Sequence, residues 1–173
     1  MRLFTLLVIG LCAFDAVCAD SVGIFVDGRL IASPCKVNSS QTDFLVSLGN
    51  TPAAQLAGKY NVTRDIPFKV VLDQCPESTT SVIATFSGKT YPEGGNYAYA
   101  NSGTSKFVGV LLKLSNEPDY FNSNALSGKS VRLNVDKTTH SIVFNFLTRL
   151  WTNEGNVTPG TINSAVTITF TYQ

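Results

Sequence analysis

Apolar and polar residues alternate along most of the chain after residue 20, in short segments separated by Gly, Asn, Pro and Ser. A period of two is typical of strands that bury one face, and no segment carries the three- and four-residue spacing of an amphipathic helix. The clearest alternations predict four strands, whose inward residues are Ile66, Phe68, Val70 and Leu72; Val82, Ala84 and Phe86; Val108, Val110, Leu112 and Leu114; and Ile142, Phe144, Phe146 and Leu150.

Weaker patterns complete the picture of an all-β domain. We expect further strands at residues 44–48 and 131–135, loops at 87–105 and 117–129, and a short helix near 53–57. Several short strands joined by turns, without a regular repeat, favour two packed sheets over a solenoid or a propeller. The predicted fold is therefore an immunoglobulin-like β-sandwich.

A further alternation lies near the N-terminus, at Val22, Ile24, Val26, Gly28 and Leu30. A terminal strand normally pairs within its own domain, so these residues could form the first strand of the sandwich. They could equally form a strand that lies outside it. The pattern alone does not separate the two interpretations.

The C-terminus carries the same signal, because Val166, Ile168, Phe170 and Tyr172 alternate with threonines up to the penultimate residue. No later segment of the chain follows to cover the open edge of such a strand, and an uncovered apolar edge promotes aggregation. We therefore expect something else to cover this edge.

The first residues are typical of a secretory signal peptide. One basic residue, Arg2, precedes an apolar stretch at residues 3–14 that is too short to span a bilayer, and residues 17–19 suit cleavage before Asp20. Cleavage one residue earlier is an alternative, whereas Leu11 and Val17 disfavour a lipoprotein anchor at Cys12 or Cys18. Removing residues 1–19 from the 173 leaves 154, which is the size of one domain.

Charge and cysteine content narrow the function classes. The net charge of +1 offers no basic surface for nucleic acid or for anionic membranes, and we expect no membrane insertion of the mature chain. Two of the four cysteines leave with the signal peptide, so Cys35 and Cys75 remain in a compartment that oxidises thiols. We expect these two to form a disulfide.

Candidate chemistry is sparse. The single histidine, His140, lies at the start of an apparent strand and favours a surface residue over a catalytic base. One histidine and a disulfide pair cannot supply a metal cluster, so we expect no enzyme, no metal and no cofactor. Several tyrosines sit with Gly and Asn in presumed loops, a composition that can bind sugars or proteins but more often reflects partial packing: Tyr91, Tyr97, Tyr99 and Tyr120.

Both ends of the mature chain resemble a known family. Residues 20–35, DSVGIFVDGRLIASPC, resemble the start of chaperone–usher fimbrial subunits of the type 1 pilin family, and most closely that of the minor tip adaptor subunits. Residues 163–173, ending in AVTITFTYQ, resemble the pilin C-terminal strand with its penultimate tyrosine. The cysteine spacing and the Phe86-Ser87-Gly88 turn also fit this family.

The resemblance implies an incomplete immunoglobulin-like sandwich that lacks its final strand and carries a donor strand before it. The implied organisation is a signal peptide at 1–19, a donor-strand extension at 20–31 and a pilin domain at 32–173. The donor residues would be Val22, Ile24, Val26, Gly28 and Leu30, with Gly28 where the acceptor groove is narrow. Residues that would line the groove or contact a chaperone are Val166, Ile168, Phe170, Tyr172 and Gln173.

The implied function is a structural subunit, minor or tip adaptor, of an adhesive fimbria on the cell surface, reached through the periplasm. The implied partners are a periplasmic pilus chaperone, an outer-membrane usher and neighbouring subunits that include a tip adhesin. The alternative is a monomeric secreted immunoglobulin-like adhesin or lectin module that folds residues 22–30 into its own sheet.

Overall fold

Eight β-strands in two antiparallel sheets make up the domain, in a computed structural model that describes residues 27, 28, 31 and 33–173. The strands are β1 (Lys36–Val37), β2 (Ile66–Asp73), β3 (Ser81–Ser87), β4 (Tyr99–Ala100), β5 (Gly109–Leu114), β6 (Ser130–Asn134), β7 (Ile142–Trp151) and β8 (Thr167–Tyr172). One sheet has the order β1-β2-β7-β5-β4 and the other the order β6-β3-β8. Two short 3₁₀ helices span Ala53–Leu56 and Pro92–Gly94.

The core lies between the two sheets and is built from the alternating positions of their strands. Along β7, residues 142, 144, 146 and 150 are buried against the other sheet, while Val143 between them is exposed. Aromatic rings fill the centre, with Phe146 stacked on Phe68 at 5.0 Å and edge-on to Phe86 at 5.8 Å between centroids. The period-two prediction is confirmed for the four strands with the clearest patterns.

The outer face of the five-stranded sheet carries a second, smaller apolar cluster. Its members are the strand positions that alternate with the core residues, together with residues of the loops that cover them: Tyr91, Ala98, Leu111, Tyr120 and Trp151. Because both faces of β5 are covered, β5 is buried along its whole length. A strand covered on both faces reads as a continuous apolar run, as the GVLLKL sequence of β5 does.

The strand predicted at residues 44–48 is wrong. The chain runs beside β2 only as far as Asp43, whose N–H donates to the Lys69 carbonyl and whose carboxylate accepts the Lys69 N–H, at 3.0 Å each. The next residue of β2 on this edge is Pro67, which has no N–H to offer a further ladder bond. The segment therefore leaves the sheet, and Leu45 is 92% exposed.

The loop before β8 is fastened to the loop between β4 and β5. Thr104 and Thr161 exchange main-chain to hydroxyl hydrogen bonds of 3.0 and 2.9 Å, and the Asn101 carboxamide oxygen accepts the Asn163 N–H at 2.8 Å. A Cβ on Gly160 would lie 2.5 Å from the Ser105 nitrogen, so this close approach requires glycine. These bonds fix the position from which β8 starts.

Candidate functional site

The C-terminal strand β8 is the edge of its sheet. Its only strand neighbour among the described residues is β3, in an antiparallel register that sets Phe170 opposite Ala84. Beyond the end of the strand, Gln173 and Ser81 exchange main-chain hydrogen bonds of 2.9 and 3.0 Å. Such pairs recur at every second residue of an antiparallel ladder, so the threonines of β8 bond to β3 and the residues between them do not.

The free main-chain groups of β8 thus belong to the residues whose side chains face the core. They are the N–H and C=O groups of Ile168, Phe170 and Tyr172. In the described part of the chain no strand lies on this side to pair with them. An unpaired edge of this kind is a template for another strand.

The edge of the opposite sheet lies on the same side of the sandwich. There, β1 pairs only with β2 among the described strands. At one end the hydroxyl of Tyr172 in β8 donates to the carbonyl of Cys35, just before β1, at 3.4 Å. Two open edges therefore face one another across a gap that Tyr172 bridges at one end only.

Between the two edges runs a groove whose apolar lining is only half covered. Phe170 packs on the buried Phe144 at 5.7 Å between centroids, and Phe68 stacks on Phe146. The other half-buried side chains that pack against the core, apart from Val131 and Leu133 of β6, are Leu48, Val157, Ile162, Val166, Ile168 and Tyr172. We call this set, with Phe68 and Phe170, the groove. Burial raises the pKa of the Tyr172 hydroxyl, as expected for a phenol set against apolar neighbours.

A cavity of about 290 Å³, lined by both apolar and polar residues, lies near the segment that leads into β8. Its lining includes Leu56, Val108, Leu150, Val157 and Ile162. Val157 and Ile162 also belong to the groove, so the cavity and the groove share part of their lining.

The position of Gln173 is set by the three-stranded sheet itself. Its main-chain oxygen accepts hydrogen bonds from the Thr80 N–H at 2.6 Å and the Ser81 N–H at 3.0 Å, and its side chain accepts one from Arg132. The residue that we expected to contact a chaperone is therefore also held by its own domain.

A disulfide joins Cys35 to Cys75, and both residues are buried. It ties the start of the domain to the turn that follows β2. The Thr79 hydroxyl adds a second tie by donating to the Ser33 carbonyl at 2.6 Å. These contacts hold one border of the groove in place.

The expected donor residues Val22, Ile24, Val26 and Leu30 lie outside the described residues. Gly28 is described and exposed, and a Cβ placed on it meets no described atom within 4 Å. Of the expected positions near the C-terminus, Val166, Ile168, Phe170 and Tyr172 are half-buried and pack against the core, whereas Gln173 is exposed. Sequence reasoning missed Leu48, Val157 and Ile162, which also pack against the core. Their short irregular segments carry no periodicity that could have revealed them.

Other chemistry is not assembled in the described part of the chain. His140 lies in the turn before β7, with a φ of 49°, and not in the strand itself. Residues 27, 28, 31 and 33–173 contain no group of His, Cys, Asp and Glu side chains arranged to hold a metal. None of the helices described there has the length and hydropathy to cross a membrane.

The family model and the similar proteins all indicate the same family. The family model described as "Fimbrial protein" matches residues 24–173. Protein FimG of Escherichia coli strain K12 is 32% identical over 156 residues, which cover 89% of this chain and 86% of that protein. The S-fimbrial adhesin protein SfaS of E. coli O6:K15:H31 (strain 536 / UPEC) is 32% identical over 160 residues, covering 92% and 90%.

Solved structures show the same fold at low sequence identity. The P pilus rod subunit PapA superposes with a TM-score of 0.62 at 15% identity, covering 82% of this chain and 100% of that one. The P pilus adaptor subunit PapF gives 0.54 at 16% identity, covering 82% and 98%. The fold is an immunoglobulin-like sandwich that lacks its final strand. The chain therefore belongs to the fimbrial protein family, as a structural subunit of a pilus and not an enzyme.

Proposed function

We propose that this subunit polymerises by strand addition, in which residues 20–31 of one copy or of a related subunit fill the groove of the next. We call residues 20–31 the donor segment. The observation that carries the proposal is the edge of β8, where free main-chain groups and half-buried apolar side chains belong to the same three residues. An added strand that alternates apolar and polar residues can bond to these free main-chain groups and also bury the apolar side chains.

The lengths of the donor segment and the groove agree. All strand pairs of the domain are antiparallel, so the added strand would run opposite to β8. With Val22 beside Tyr172, Leu30 falls eight residues away, about 27 Å along the groove. That distance corresponds to residue 164 of the acceptor, two residues after Ile162, which lines the cavity. In this register Leu30 would lie near the cavity.

Burial of the donor side chains supplies the driving force. Val22, Ile24, Val26 and Leu30 each gain roughly 1.5–3 kcal/mol when fully buried, before the cost of ordering the strand. Main-chain hydrogen bonds along β8 fix the direction and the register. Polar and charged residues such as Asp27 and Arg29 alternate with them and remain on the outer side.

Before it is filled, the groove exposes apolar surface and an unpaired edge, so a free subunit needs protection in the periplasm. We assign this role to a periplasmic pilus chaperone that lends a strand, and the exchange to an outer-membrane usher. The fimbria on the cell surface would carry an adhesin at its tip and support adhesion. The resemblance of residues 20–35 to tip subunits supports a minor or adaptor position near that tip.

Replacement of Gly28 tests the register. Gly28→Leu is expected to reduce subunit joining at least about tenfold, because the added side chain enters the groove where the donor series has none. Asp27→Leu is the matched control, since it adds the same side chain on the outer side and should leave joining unchanged. The measurement is the yield of strand-exchanged oligomers from purified subunits.

Three outcomes are informative. Normal joining by Gly28→Leu would show that residue 28 does not enter the groove. Equal loss in both variants would show that the register is wrong. A wild-type chain that stays a soluble monomer without any chaperone, and never joins, would favour the secreted adhesin or lectin module.

A further inference from the structure

An open, aromatic-lined pocket lies on the outer face of the five-stranded sheet, away from the groove. Trp151 forms its base, and Trp151 belongs to the outer-face cluster because it alternates with the core residue Leu150 along β7. The pocket has a volume of about 360 Å³, at the lower end of the range for small-ligand sites. Its lining comes from four separated parts of the chain: Tyr60, Glu93, Gly94, Gly95, Tyr97, Phe121, Trp151 and Asn153.

Exposed aromatic rings form the walls of the pocket. Phe121 stands edge-on to both Tyr97 and Trp151, with centroids 5.4 and 5.5 Å away. Tyr60 is 67% exposed, Tyr97 is 44% exposed and Phe121 is 37% exposed. Three large rings that converge and yet remain open to solvent are unusual unless they meet a partner.

The pocket is held in place by the loops that build it. The Asp119 carboxylate accepts the Phe121 N–H at 2.7 Å, and the neighbouring Glu117 carboxylate accepts the Ser123 hydroxyl at 2.6 Å and the Asn124 N–H at 2.9 Å. Burial acts to raise the pKa of Glu117, but these hydrogen bonds outweigh it and lower the pKa, so the carboxylate is ionised at neutral pH. The loop that carries Phe121 is thus ordered before any ligand arrives.

The glycine turn is equally constrained. A Cβ on Gly94 would lie 2.6 Å from ring atoms of both Trp151 and Tyr91, so only glycine lets the 3₁₀ turn at Pro92–Gly94 lie on the indole. Gly95 continues the turn with a φ of 58°. This packing places the Glu93 carboxylate beside the aromatic walls.

Polar groups in and around the pocket define its chemistry. Glu93 and Asn153 offer hydrogen-bonding atoms at the rim. The indole N–H of Trp151 and the hydroxyl of Tyr91 are buried without a hydrogen-bond partner among the described residues. Burial raises the pKa of Tyr91 to about 12, and the negative charges of Glu93 and Glu154 add to the rise.

We propose that this pocket binds one neutral hexose unit of a glycan. A pyranose presents an apolar face of C–H bonds that can lie on an aromatic ring, and a rim of hydroxyls that can bond a carboxylate and an amide. The walls of the pocket and its polar rim supply these two kinds of contact. The acidic side chain of Glu93 in the lining disfavours sialic acid and other anionic sugars. This inference goes beyond strand addition and does not depend on it.

The test is saturation-transfer difference NMR on the full mature chain in its soluble form, with any copurifying chaperone measured alone as a blank. The probes are the methyl glycosides of glucose, galactose, mannose and N-acetylglucosamine, with N-acetylneuraminic acid as the anionic comparison. At least one neutral probe should bind with a roughly millimolar dissociation constant, as expected for a single sugar ring. The anionic probe should bind at least about tenfold more weakly.

Variants locate the binding. Tyr97→Ala, at an exposed ring, should weaken binding about tenfold or more and leave the thermal stability of the domain unchanged. Phe44→Ala is the matched control, because Phe44 is an exposed aromatic residue that does not line this pocket. Intrinsic fluorescence gives a second readout, since Trp151 is the only tryptophan of the chain.

The proposal is overturned if none of the neutral probes transfers saturation at 20-fold above about 1 mM, or if Tyr97→Ala binds as the wild type does. It is also overturned if Tyr97→Ala shortens the polymer while no sugar binds, because the pocket would then be a contact between subunits. Deletion of the donor segment should leave sugar binding unchanged. Failure of the sugar-binding proposal can therefore be distinguished from failure of strand addition.

Discussion

Removal of the donor segment, residues 20–31, is expected to abolish polymerisation and to leave the domain folded. The described contacts of the domain start at Ser33, whose carbonyl accepts the Thr79 hydroxyl, and at the Cys35–Cys75 disulfide. Ile31, just before them, is 81% exposed. The truncated chain therefore loses its ability to donate a strand, while its own groove stays intact.

The truncated subunit should still accept a donor strand. Mixed with wild-type subunits, it is expected to occupy only the end of a polymer that needs no donor, and so to shorten the chains in proportion to its share. The measurement is the length distribution of oligomers by electron microscopy and by gel analysis of strand-exchanged species. Polymers built from the truncated chain alone, or unfolding of its domain, would contradict this expectation.

A substitution series tests whether joining requires the apolar side chains of the donor segment or only a segment of that length. Changing the groove-facing Val22, Ile24, Val26 and Leu30 to serine should reduce joining as strongly as deletion does, since each change removes roughly 1.5–3 kcal/mol of burial. The matched control changes the alternating outward residues Phe25, Asp27 and Arg29 to serine and should join normally.

Loss of the disulfide is expected to be the largest single destabilisation of the domain. Cys35 and Cys75 are 40 residues apart, and closing a loop of that length contributes about 4 kcal/mol in the chain-entropy model. Most domains have a total unfolding free energy of only about 5–15 kcal/mol. The variant with both Cys35→Ser and Cys75→Ser should therefore melt about 10 °C below the wild type.

We expect loss of the disulfide to disturb the groove as well as the fold, because Cys35 lies at the border of the groove. The Cys35 carbonyl accepts the Tyr172 hydroxyl, and the segment that it anchors continues into β1. Thermal unfolding should be measured with a saturating peptide of the donor segment in every sample. Reduced wild-type protein is the control and should match the double variant. A melting temperature within about 2 °C of the oxidised wild type would show that the crosslink contributes little.

The long strands could be predicted from the sequence because burial of one face imposes a period of two. β2, β3 and β7 follow that rule, whereas β5 is buried on both faces. Residues 44–48 are rich in apolar residues as well, yet they form no strand, since the free edge of β2 lacks an N–H at Pro67. The strands β1 and β4 have two residues each, so they are too short to show a period of two.

The candidate site could be predicted only in part. The alternation at Ile168, Phe170 and Tyr172 predicted the strand β8. The sequence does not contain the order of strands, and that order brings β1 and β8 to one side and leaves the groove between them. The outer-face pocket could not have been located, because its walls come from loops without periodicity, and only the composition of those loops suggested a binding surface.

Hydrogen exchange at single amides is the most direct test of strand addition at the edge of β8. The amides of Ile168, Phe170 and Tyr172 face the edge, whereas those of Thr169 and Thr171 bond to β3 and serve as internal references. In assembled subunits the three edge amides should exchange at least about 100-fold more slowly than in the subunit truncated at residues 20–31, while the references change little. Equal exchange of the edge amides in both forms, or protection of them in an isolated full-length monomer, would contradict strand addition between subunits.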